Sequence, residues 1–348
     1  MRKVFLSGGT GFIGQNLVSF LLKNGVEIVN FANQTRQASN ANRNIVKGDI
    51  CDSLSVENAM DGCDVVINLA AESSASKSMT DSRNFMRTNV TGASVLLESA
   101  RKLGVKKFFQ MGTDQVYGNC EKGGFSENAA LNPTNPYSAS KAAADLIALS
   151  YFRTYDFPVV IARSSIVFGP CQRPEKLLPV FITNAIRKKP LPVYNNGLYR
   201  RQWIFVADIC EAIVTLLEKG KPGEVYNTGG TEKTNLEVAK SVLKILGKSV
   251  SLISHVKDDK FYDMRYAVDT AKIGRLGWKP RFSFEDALSN TVEWYKNNES
   301  WWAKFIEKSQ GIKPRTSVRL FNSKTRRYAR SVKPRPVRSE ASEHSETL

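Results

Sequence analysis

A glycine-rich turn near the start of the chain constrains its fold more than any other feature. The turn reads Gly8-Gly9-Thr10-Gly11-Phe12-Ile13-Gly14 and lies between the apolar run 4–6 and a helical pattern that begins at Leu17. A strand, a glycine turn and a helix in this order form the phosphate-binding unit of dinucleotide sites. The first turn of such a helix presents free N–H groups and a positive dipole end to phosphate. We therefore predict a dinucleotide site whose contacts come from Gly8, Thr10, Gly11, Phe12, Ile13 and Gly14.

Short apolar runs alternate with helical patterns through the first half of the chain. The runs lie at 26–31, 64–71, 107–111 and 158–163. Strands that alternate with helices are typical of a doubly wound parallel sheet, so we predict an α/β fold of the Rossmann type. A later run at 224–227 is expected to return to the same sheet.

Three regions are expected along the chain. Residues 1–166 form a dinucleotide-binding domain to which 203–228 return, and residues 167–311 form a smaller, discontinuous substrate lobe. Such a lobe closes a cleft over the carboxyl ends of the strands. Residues 312–348 carry ten Lys or Arg against three Glu, without a steady apolar period, which predicts a flexible tail. The tail is expected either to stay solvated or to dock on an anionic surface, such as nucleic acid or a membrane face.

The second strand lacks the feature that usually selects NAD. An acidic residue at the end of this strand binds the adenosine ribose in NAD sites, but here the strand runs into Asn33 and Arg36. Arg36 beside the polar Asn33 suits a 2′-phosphate, so NADP is favoured over NAD. Further contacts are expected from residues that follow the third and fourth strands: Asp49, Ile50, Leu69, Ala70 and Ala71.

Composition excludes several other classes of protein. The 348 residues carry a formal net charge of +17, which suits an anionic ligand. The five cysteines are scattered and show no metal-ligand spacing, and the two histidines lie far from the motifs. We therefore expect no metal site and free thiols in a reducing compartment. No apolar run is long enough to span a membrane, so a cytoplasmic protein is expected.

A second motif, Tyr137-Ser138-Ala139-Ser140-Lys141, opens a helical pattern. The spacing places Tyr137 and Lys141 one turn apart on the same face. A nearby ammonium group stabilises phenolate and lowers the pKa of tyrosine, so Tyr137 is predicted to act as a base on a substrate hydroxyl while hydride leaves for nicotinamide. Thr113, at the end of the preceding strand, is expected to share the hydrogen bond to that hydroxyl.

The chain resembles the extended short-chain dehydrogenase/reductases that act on nucleotide sugars, and among them the dTDP-glucose 4,6-dehydratases. The motifs that carry the resemblance are GGTGFIG, GDICD, NLAAESSASKS, GTDQVYG, NPYSASK, PEKLLP, YRRQWIFVADI and MRYAVD. The resemblance implies a homodimer and a nucleotide-diphosphate-sugar substrate. It further implies a substrate site formed by Ser73, Lys176, Leu177, Arg201 and Arg265.

One departure from the family pattern affects the predicted reaction. In the dehydratases an Asp protonates the departing C6 hydroxyl and the following Glu removes the C5 proton, whereas this chain has Asp114 and Gln115 after Thr113. An amide does not act as a Brønsted base near neutral pH. We therefore expect oxidation at C4 followed by 4-epimerisation, which needs no further base. The alternatives are a 4,6-dehydratase with a substitute carboxylate such as Glu72, an NADPH-dependent 4-keto-sugar reductase, and a non-catalytic nucleotide-binding protein with a basic interaction tail.

Overall fold

The computed structural model describes residues 2–33, 45–257 and 263–311, the last four of them by their backbone alone. The chain divides into two compact units, Met1–Phe305 and Ile306–Leu348. The predicted tail, 312–348, and the segment containing Arg36 lie outside the described residues. The boundary predicted at 166 falls within the first unit, and the division into two lobes stays a prediction.

A seven-stranded sheet forms the centre of the first unit. Its strands are β1 (Lys3–Ser7), β2 (Glu27–Ala32), β3 (Ile45–Lys47), β4 (Val65–Asn68), β5 (Lys107–Thr113), β6 (Val159–Ser164) and β10 (Glu224–Thr228). They lie in the order β10-β6-β5-β4-β1-β2-β3, and every pair of neighbouring strands is parallel. The predicted doubly wound parallel sheet is therefore confirmed, including the late strand that returns to pair with β6.

Helices cover the sheet and explain its apolar runs. Phe5, Val66 and Phe108 pack with Leu96 and Leu97 in a single buried cluster. Parallel strands buried on both faces need nearly continuous apolar sequence, which is what the runs contain. The helices are α1 (Phe12–Lys23), α2 (Ser53–Met60), α3 (Ala75–Ser78), α4 (Arg83–Phe85), α5 (Gly92–Lys102), α6 (Pro136–Tyr155), α7 (Leu177–Ile186), α8 (Val206–Lys219), α9 (Asn235–Ile245), α10 (Ala271–Gly274), α11 (Phe284–Asn297) and α12 (Glu299–Gly311).

Two small sheets lie outside the main one. One has the order β11-β9-β7 and the other pairs β12 with β8. Their strands are β7 (Ile166–Phe168), β8 (Leu191–Tyr194), β9 (Arg200–Phe205), β11 (Thr231–Thr234) and β12 (Ile253–Val256). The ring of Phe168 lies 5.5 to 6.1 Å from the rings of Trp203, Phe205 and Phe284, which anchors β9 and α11 to β7.

One helix differs from its prediction. The pattern from Asn89 to Lys102 indicates a single helix, but a π-helical turn, Met86–Thr91, precedes α5. Asn89 is 3% exposed, and its amide exchanges hydrogen bonds with the backbone of Glu72 and donates to Ser140 Oγ. π-helical turns frequently occur at functional sites. Here the turn carries an amide that ties the loop after β4 to α6.

Strand order places a crevice at the carboxyl edge of the main sheet. β1 lies between β4 and β2, so the direction in which the chain adds strands reverses there. Ligands of such sheets bind outside the carboxyl ends of the strands at this reversal. Within the described residues, no helix is both long and apolar enough to cross a membrane.

Candidate active site

The glycine turn lies at the carboxyl end of β1, close to the backbone that follows β4. Gly8 has φ +77°, and a Cβ there would lie 2.7 Å from Ala70 N. A Cβ on Gly14 would lie 2.3 Å from Gly8 O. The N-cap of α1 is Gly11, which is exposed and provides no side-chain cap, so the first N–H groups of the helix are open to an anionic ligand. The turn thus fits the pyrophosphate of a dinucleotide.

The adenosine end of this site is described in part. β2 ends at the buried Ala32, and Asn33 beyond it is exposed. Asp49 Oδ1 accepts the backbone N–H of Cys51, and Oδ2 accepts the guanidinium of Arg87 at 2.7 Å. Burial acts to raise the pKa of Asp49, but these hydrogen bonds outweigh it and the pKa is lowered. Asp49 is therefore an ionised acceptor that is already partnered within the chain.

A buried amide beneath the glycine turn has no partner among the described residues. Asn30 on β2 is 3% exposed, and neither its Oδ1 nor its Nδ2 makes a hydrogen bond there. A Cβ on Gly9 would lie 2.2 Å from Asn30 Oδ1, so the amide packs directly under the turn. Ile50 packs in a similar way against Gly92, where a Cβ would lie 2.4 Å from Ile50 Cδ1. Both side chains depend on a glycine opposite them.

A cleft of about 510 Å³ opens beside the glycine turn. This volume suits a small-molecule site. Phe12, Ile13, Leu69 and Ala71 line it on the side of the turn. Nine more of the predicted site residues line it as well: Ser73, Thr113, Asp114, Gln115, Tyr137, Lys141, Lys176, Leu177 and Arg201. Tyr266, which was not predicted, also lines it. The structure thus brings the predicted catalytic residues and most of the predicted substrate residues to one cleft.

Tyr137 and Lys141 lie in the first two turns of α6. The helix begins with a capping box between Asn135 and Ser138 and with Pro136 at its first position, which fixes where the helix starts. Lys141 is 5% exposed, and its Nζ donates to Met111 O at the end of β5. Burial lowers the pKa of Lys141, and the charge of Asp145 acts against this.

The expected lowering of the Tyr137 pKa is not found among the contacts of the described residues. Burial raises the pKa of Tyr137 to about 12, and the hydrogen bond with Thr113 opposes that rise only in part. The nearby charges that act on the phenol are those of Asp114 and Asp145, which disfavour phenolate. The difference arises because the phenol loses its surrounding water, which the helical spacing of Tyr137 and Lys141 does not reveal.

Asp114 is a buried carboxyl group inside the cleft. It is 3% exposed, its Oδ1 accepts the Thr113 hydroxyl at 3.3 Å, and its Oδ2 is buried without a partner in the described chain. Burial raises its pKa to about 7, against the opposing charge of Arg201. Gln115 is partly buried and lines the same cleft, while its backbone N–H donates to Thr113 Oγ1. Asp114 therefore exchanges a proton near neutral pH, whereas Gln115 does not.

The predicted substrate residues separate into two groups. Lys176 Nζ donates to Ser73 O at 2.9 Å, and Leu177 opens α7 beside it. Arg201 donates to the backbone oxygens of Asp263 and Met264, and its guanidinium lies 4.3 Å from the centre of the Tyr266 ring. These backbone bonds hold the guanidinium in place without neutralising it.

Arg265 does not line the cleft with the others. Its guanidinium forms a two-pronged ion pair with Glu232, at 2.7 Å for the shortest contact, and donates to Cys120 O. Its positive charge is thus compensated within the chain, and its role in binding a diphosphate stays a prediction. Glu72, the predicted substitute base, is exposed and is likewise not among the cleft residues.

The sequence reasoning missed a buried ion pair next to Lys141. Asp145 lies one turn further along α6, and its Oδ2 accepts Arg163 Nε at 2.9 Å, with side chains 0% and 3% exposed. Arg163 also donates to Tyr117 Oη. The i, i+4 spacing from Lys141 to Asp145 was the signal that could have found it.

Aromatic residues of the cleft were missed as well. Tyr194, Tyr199 and Tyr266 line it from separate segments, and no local pattern marks them as a group. Across the described ranges, no group of three or more His, Cys, Asp or Glu is placed to hold a metal ion.

Comparison with known proteins identifies the family. The model of the NAD dependent epimerase/dehydratase family matches residues 4–229. The chain is 40% identical over 317 residues to a dTDP-glucose 4,6-dehydratase of Streptomyces niveus, covering 86% of this chain and 94% of that one. It is 41% identical over 307 residues to the low-salt glycan biosynthesis protein Agl12 of Haloferax volcanii, covering 85% and 99%.

Solved structures give the same assignment. The dTDP-glucose 4,6-dehydratase DesIV of Streptomyces venezuelae, solved with NAD bound, superposes with a TM-score of 0.84 at 37% identity, covering 87% of this chain and 99% of that one. A UDP-glucose 4-epimerase of Thermotoga maritima, solved with UDP-glucose, gives 0.82 at 28% identity, covering 86% and 100%. The dehydratases are more similar in sequence, which favours the dehydratase alternative over the expected 4-epimerase. With its Rossmann sheet and its cleft residues, this chain belongs to the NAD-dependent epimerase/dehydratase family, the extended short-chain dehydrogenase/reductase enzymes of nucleotide-sugar metabolism.

Proposed function

We propose that the protein is a nucleotide-sugar 4,6-dehydratase that converts a nucleoside-diphosphate hexose to its 4-keto-6-deoxy form. The observation that carries the proposal is Asp114, which lies buried in the cleft beside Thr113 and has no ion pair among the described residues. A 4-epimerase needs no such group, because it oxidises and reduces the same carbon. A dehydratase needs a proton donor for the hydroxyl that leaves C6, and a carboxyl group with a pKa of about 7 is suited to that step.

Tyr137 begins the proposed reaction by taking the proton of the C4 hydroxyl. Thr113 holds the same hydroxyl, and Lys141 lies one turn from the tyrosine on α6. Bound NAD would take the hydride from C4 and return it to C6 after water is lost, and its positively charged ring would favour the phenolate form of Tyr137. The resulting ketone acidifies the C5 proton, which prepares the loss of water across C5 and C6. Asp114 protonates the departing C6 oxygen. A proton delivered to C5, which balances the one that Tyr137 took from the C4 hydroxyl, then completes the 4-keto-6-deoxy sugar.

The cofactor proposed is NAD. Relatives solved with NAD bound include two dTDP-glucose 4,6-dehydratases and a UDP-glucose 4-epimerase. The features that favour NADP are Arg36, which lies outside the described residues, and the lack of an acid at the end of β2. Asn33 is exposed at that position and suits the ribose hydroxyls of NAD as well as a 2′-phosphate.

The substrate side of the cleft supports an anionic ligand. Arg201 is held in place by the backbone oxygens of Asp263 and Met264, and Lys176 lies on a different segment beside Ser73. An arginine and a lysine in one cleft bind a diphosphate through charge-assisted hydrogen bonds.

We also propose that the chain acts as a homodimer, as its family resemblance implies. Leu146 on α6 is 53% exposed and is available for such a contact.

The first prediction concerns the product. Purified protein incubated with NAD and dTDP-glucose is expected to form dTDP-4-keto-6-deoxyglucose, detected by NMR and by the absorbance of the keto sugar in base. UDP-, GDP- and CDP-hexoses test the base preference, and NADP in place of NAD tests the cofactor. Tyr137→Phe is the matched control, since it removes only the phenolic oxygen, and it is expected to abolish turnover.

A second candidate rests on Gln115. Because this side chain is an amide in the cleft, a 4-epimerase remains the alternative. Formation of the 4-epimer without any 4-keto-6-deoxy sugar would overturn the dehydratase proposal and support the epimerase. Consumption of NADPH with a 4-keto sugar, without reaction of the hexose itself, would instead support a reductase.

A further inference from the structure

The proposed elimination requires two proton transfers, but the cleft offers few groups to perform them. A proton must leave C5 and a proton must reach the oxygen on C6. Among the described residues that line the cleft, the carboxylates are Asp114 and Glu175. Gln115 lines it too but is neither acid nor base. In the part of the chain that the structure describes, the cleft therefore lacks the neighbouring pair of carboxylates that would divide the two transfers.

The two carboxylates lie on different segments of the chain and differ in burial. Asp114 follows β5 directly, is 3% exposed, and shares a hydrogen bond with Thr113, the residue proposed to hold the C4 hydroxyl. Its second oxygen, Oδ2, is buried and has no partner among the described residues. Glu175 is exposed and precedes α7, on the segment that carries Lys176. Asp114 is thus the carboxylate on the same strand end as the group that positions the reacting carbon.

We propose that Asp114 performs both proton transfers of the elimination, first as base at C5 and then as acid at the C6 oxygen. The inference rests on the proposed dehydratase function. In the first step the C5–H bond breaks, its electron pair forms the enolate with the C4 carbonyl, and the proton binds the Asp114 carboxylate. In the second step that proton passes to the C6 oxygen while the C6–O bond breaks. Water leaves, a C5=C6 double bond forms, and Asp114 is again a carboxylate.

The geometry of the sugar permits one group to serve both atoms. C5 and C6 are adjacent, and rotation about the bond between them brings the C6 hydroxyl to the face of the C5 proton. A carboxylate has two oxygens, and in Asp114 one is bonded to Thr113 while the other has no partner in the described chain. The proton therefore needs to move only between neighbouring positions on the same face of the sugar.

The charges around Asp114 keep both of its protonation states accessible. Arg201, from β9, favours the carboxylate, and burial favours the acid. Tyr137 on α6 and Tyr266 also face it. Burial raises the pKa of Tyr266, and Tyr137 is a neutral phenol at this stage because it has already taken the C4 hydroxyl proton. The balance gives Asp114 a pKa of about 7. An acid-base group that acts in both directions is most efficient when its pKa lies near the working pH.

The second prediction tests the base role directly, without hydride transfer. The probe is dTDP-4-keto-6-deoxyglucose supplied to the enzyme in D₂O, and exchange of its C5 proton is followed by NMR. The wild-type protein is expected to catalyse this exchange. Asp114→Asn keeps the shape of the side chain and is expected to lose the exchange by roughly 10²- to 10⁴-fold, the usual contribution of a general base. Glu175→Gln, which removes the other carboxylate, is expected to retain it.

Two further measurements distinguish failure of this inference from failure of the proposed dehydratase function. Asp114→Asn is expected still to form reduced nicotinamide from dTDP-glucose, because Tyr137 and Lys141 are intact, and this shows that the variant folds and binds. C5 exchange by Asp114→Asn within tenfold of the wild-type rate would overturn the inference, and so would its loss in Glu175→Gln. Either result leaves the dehydratase proposal standing if the wild-type protein makes the 4-keto-6-deoxy sugar. Absence of that product from the wild type would contradict the proposed function itself.

Discussion

Several side chains that can ionise are enclosed at the centre of this protein, and each is held differently. Asp145 has an ion pair with Arg163, Lys141 has a carbonyl oxygen, and Asp114 has a hydroxyl partner among the described residues. A buried ionisable group without an opposite charge in contact disfavours its charged form. Burial raises the pKa values of Asp114 and Asp145, the latter despite its ion pair, and lowers the pKa of Lys141.

The third prediction is that Asp114→Asn stabilises the protein at alkaline pH. Burial raises the pKa of Asp114 from its ordinary 3.8 to about 7 in the folded chain. Below about pH 4 the Asp114 carboxyl is protonated in both the folded and the unfolded state, so its burial does not lower the free energy of unfolding. Between about pH 4 and about pH 7, rising pH ionises Asp114 in the unfolded state only. This lowers the free energy of unfolding by on the order of a few kcal/mol by pH 8. Asparagine does not ionise, so the variant escapes this cost.

Thermal unfolding of both proteins at pH 8 and pH 5 measures the effect. The melting temperature of the variant is expected to exceed that of the wild type at pH 8, with a smaller difference at pH 5. An equal difference at both pH values would show that Asp114 titrates normally. A variant less stable at pH 8 than the wild type would show a structural role for the ionised carboxylate.

At the scale of elements, the sequence predicted those features that a short segment determines. The glycine turn between β1 and α1 and the apolar strands of the main sheet are local patterns, and both were found. The ion pair that compensates the charge of Arg265 could not be predicted, because its partner Glu232 on β11 lies 33 residues away along the chain. The burial that raises the Tyr137 pKa and the aromatic residues of the cleft likewise depend on distant segments. Type and order of elements could be predicted, but not the electrostatic surroundings of their side chains.

The fourth prediction concerns the junction of β1 and α1. In Gly14→Ala the new Cβ would lie 2.3 Å from Gly8 O and 2.5 Å from Gly9 Cα, both backbone atoms. The turn must shift to make room, which costs typically ~1–3 kcal/mol and moves the N–H groups that we assign to the cofactor pyrophosphate. Gly14→Ala is therefore expected to lower both the melting temperature and the affinity for NAD.

A matched glycine serves as the control. Gly274 ends α10, and a methyl group placed on it would have nothing within 4 Å, so Gly274→Ala is expected to leave both quantities nearly unchanged. Calorimetry and a fluorescence titration with NAD measure the two effects. NAD binding by Gly14→Ala at wild-type affinity would contradict the assignment of this turn to the pyrophosphate.

At the scale of the whole molecule, a large share of the net positive charge lies in one segment of the sequence. Residues 312–348, outside the described part of the chain, hold ten of the 50 Lys and Arg residues and three of the 33 Asp and Glu residues. The family model matches residues 4–229, so this segment also lies beyond the matched region. Its role as a solvated extension or as a contact to an anionic surface stays a prediction.

The fifth prediction tests that segment. A protein truncated after 314 is expected to elute from an anionic matrix at lower salt than the full chain, because most of the tail's positive charges are gone. Its turnover of the nucleotide sugar is expected to be unchanged. Identical elution of the two proteins would rule out electrostatic docking by the tail, and a loss of turnover would place part of the tail in the enzyme's function.

One edge strand of the main sheet is synthesised well after the strand that it covers. β10, Glu224–Thr228, pairs with β6, which ends at Ser164. Until the ribosome has released β10, the nascent chain exposes the hydrogen-bonding edge of β6, whose residues Val159 to Ser164 are all buried in the finished protein. An unpaired apolar edge is a site of aggregation. We therefore expect the growing polypeptide to be prone to aggregation between the synthesis of β6 and that of β10.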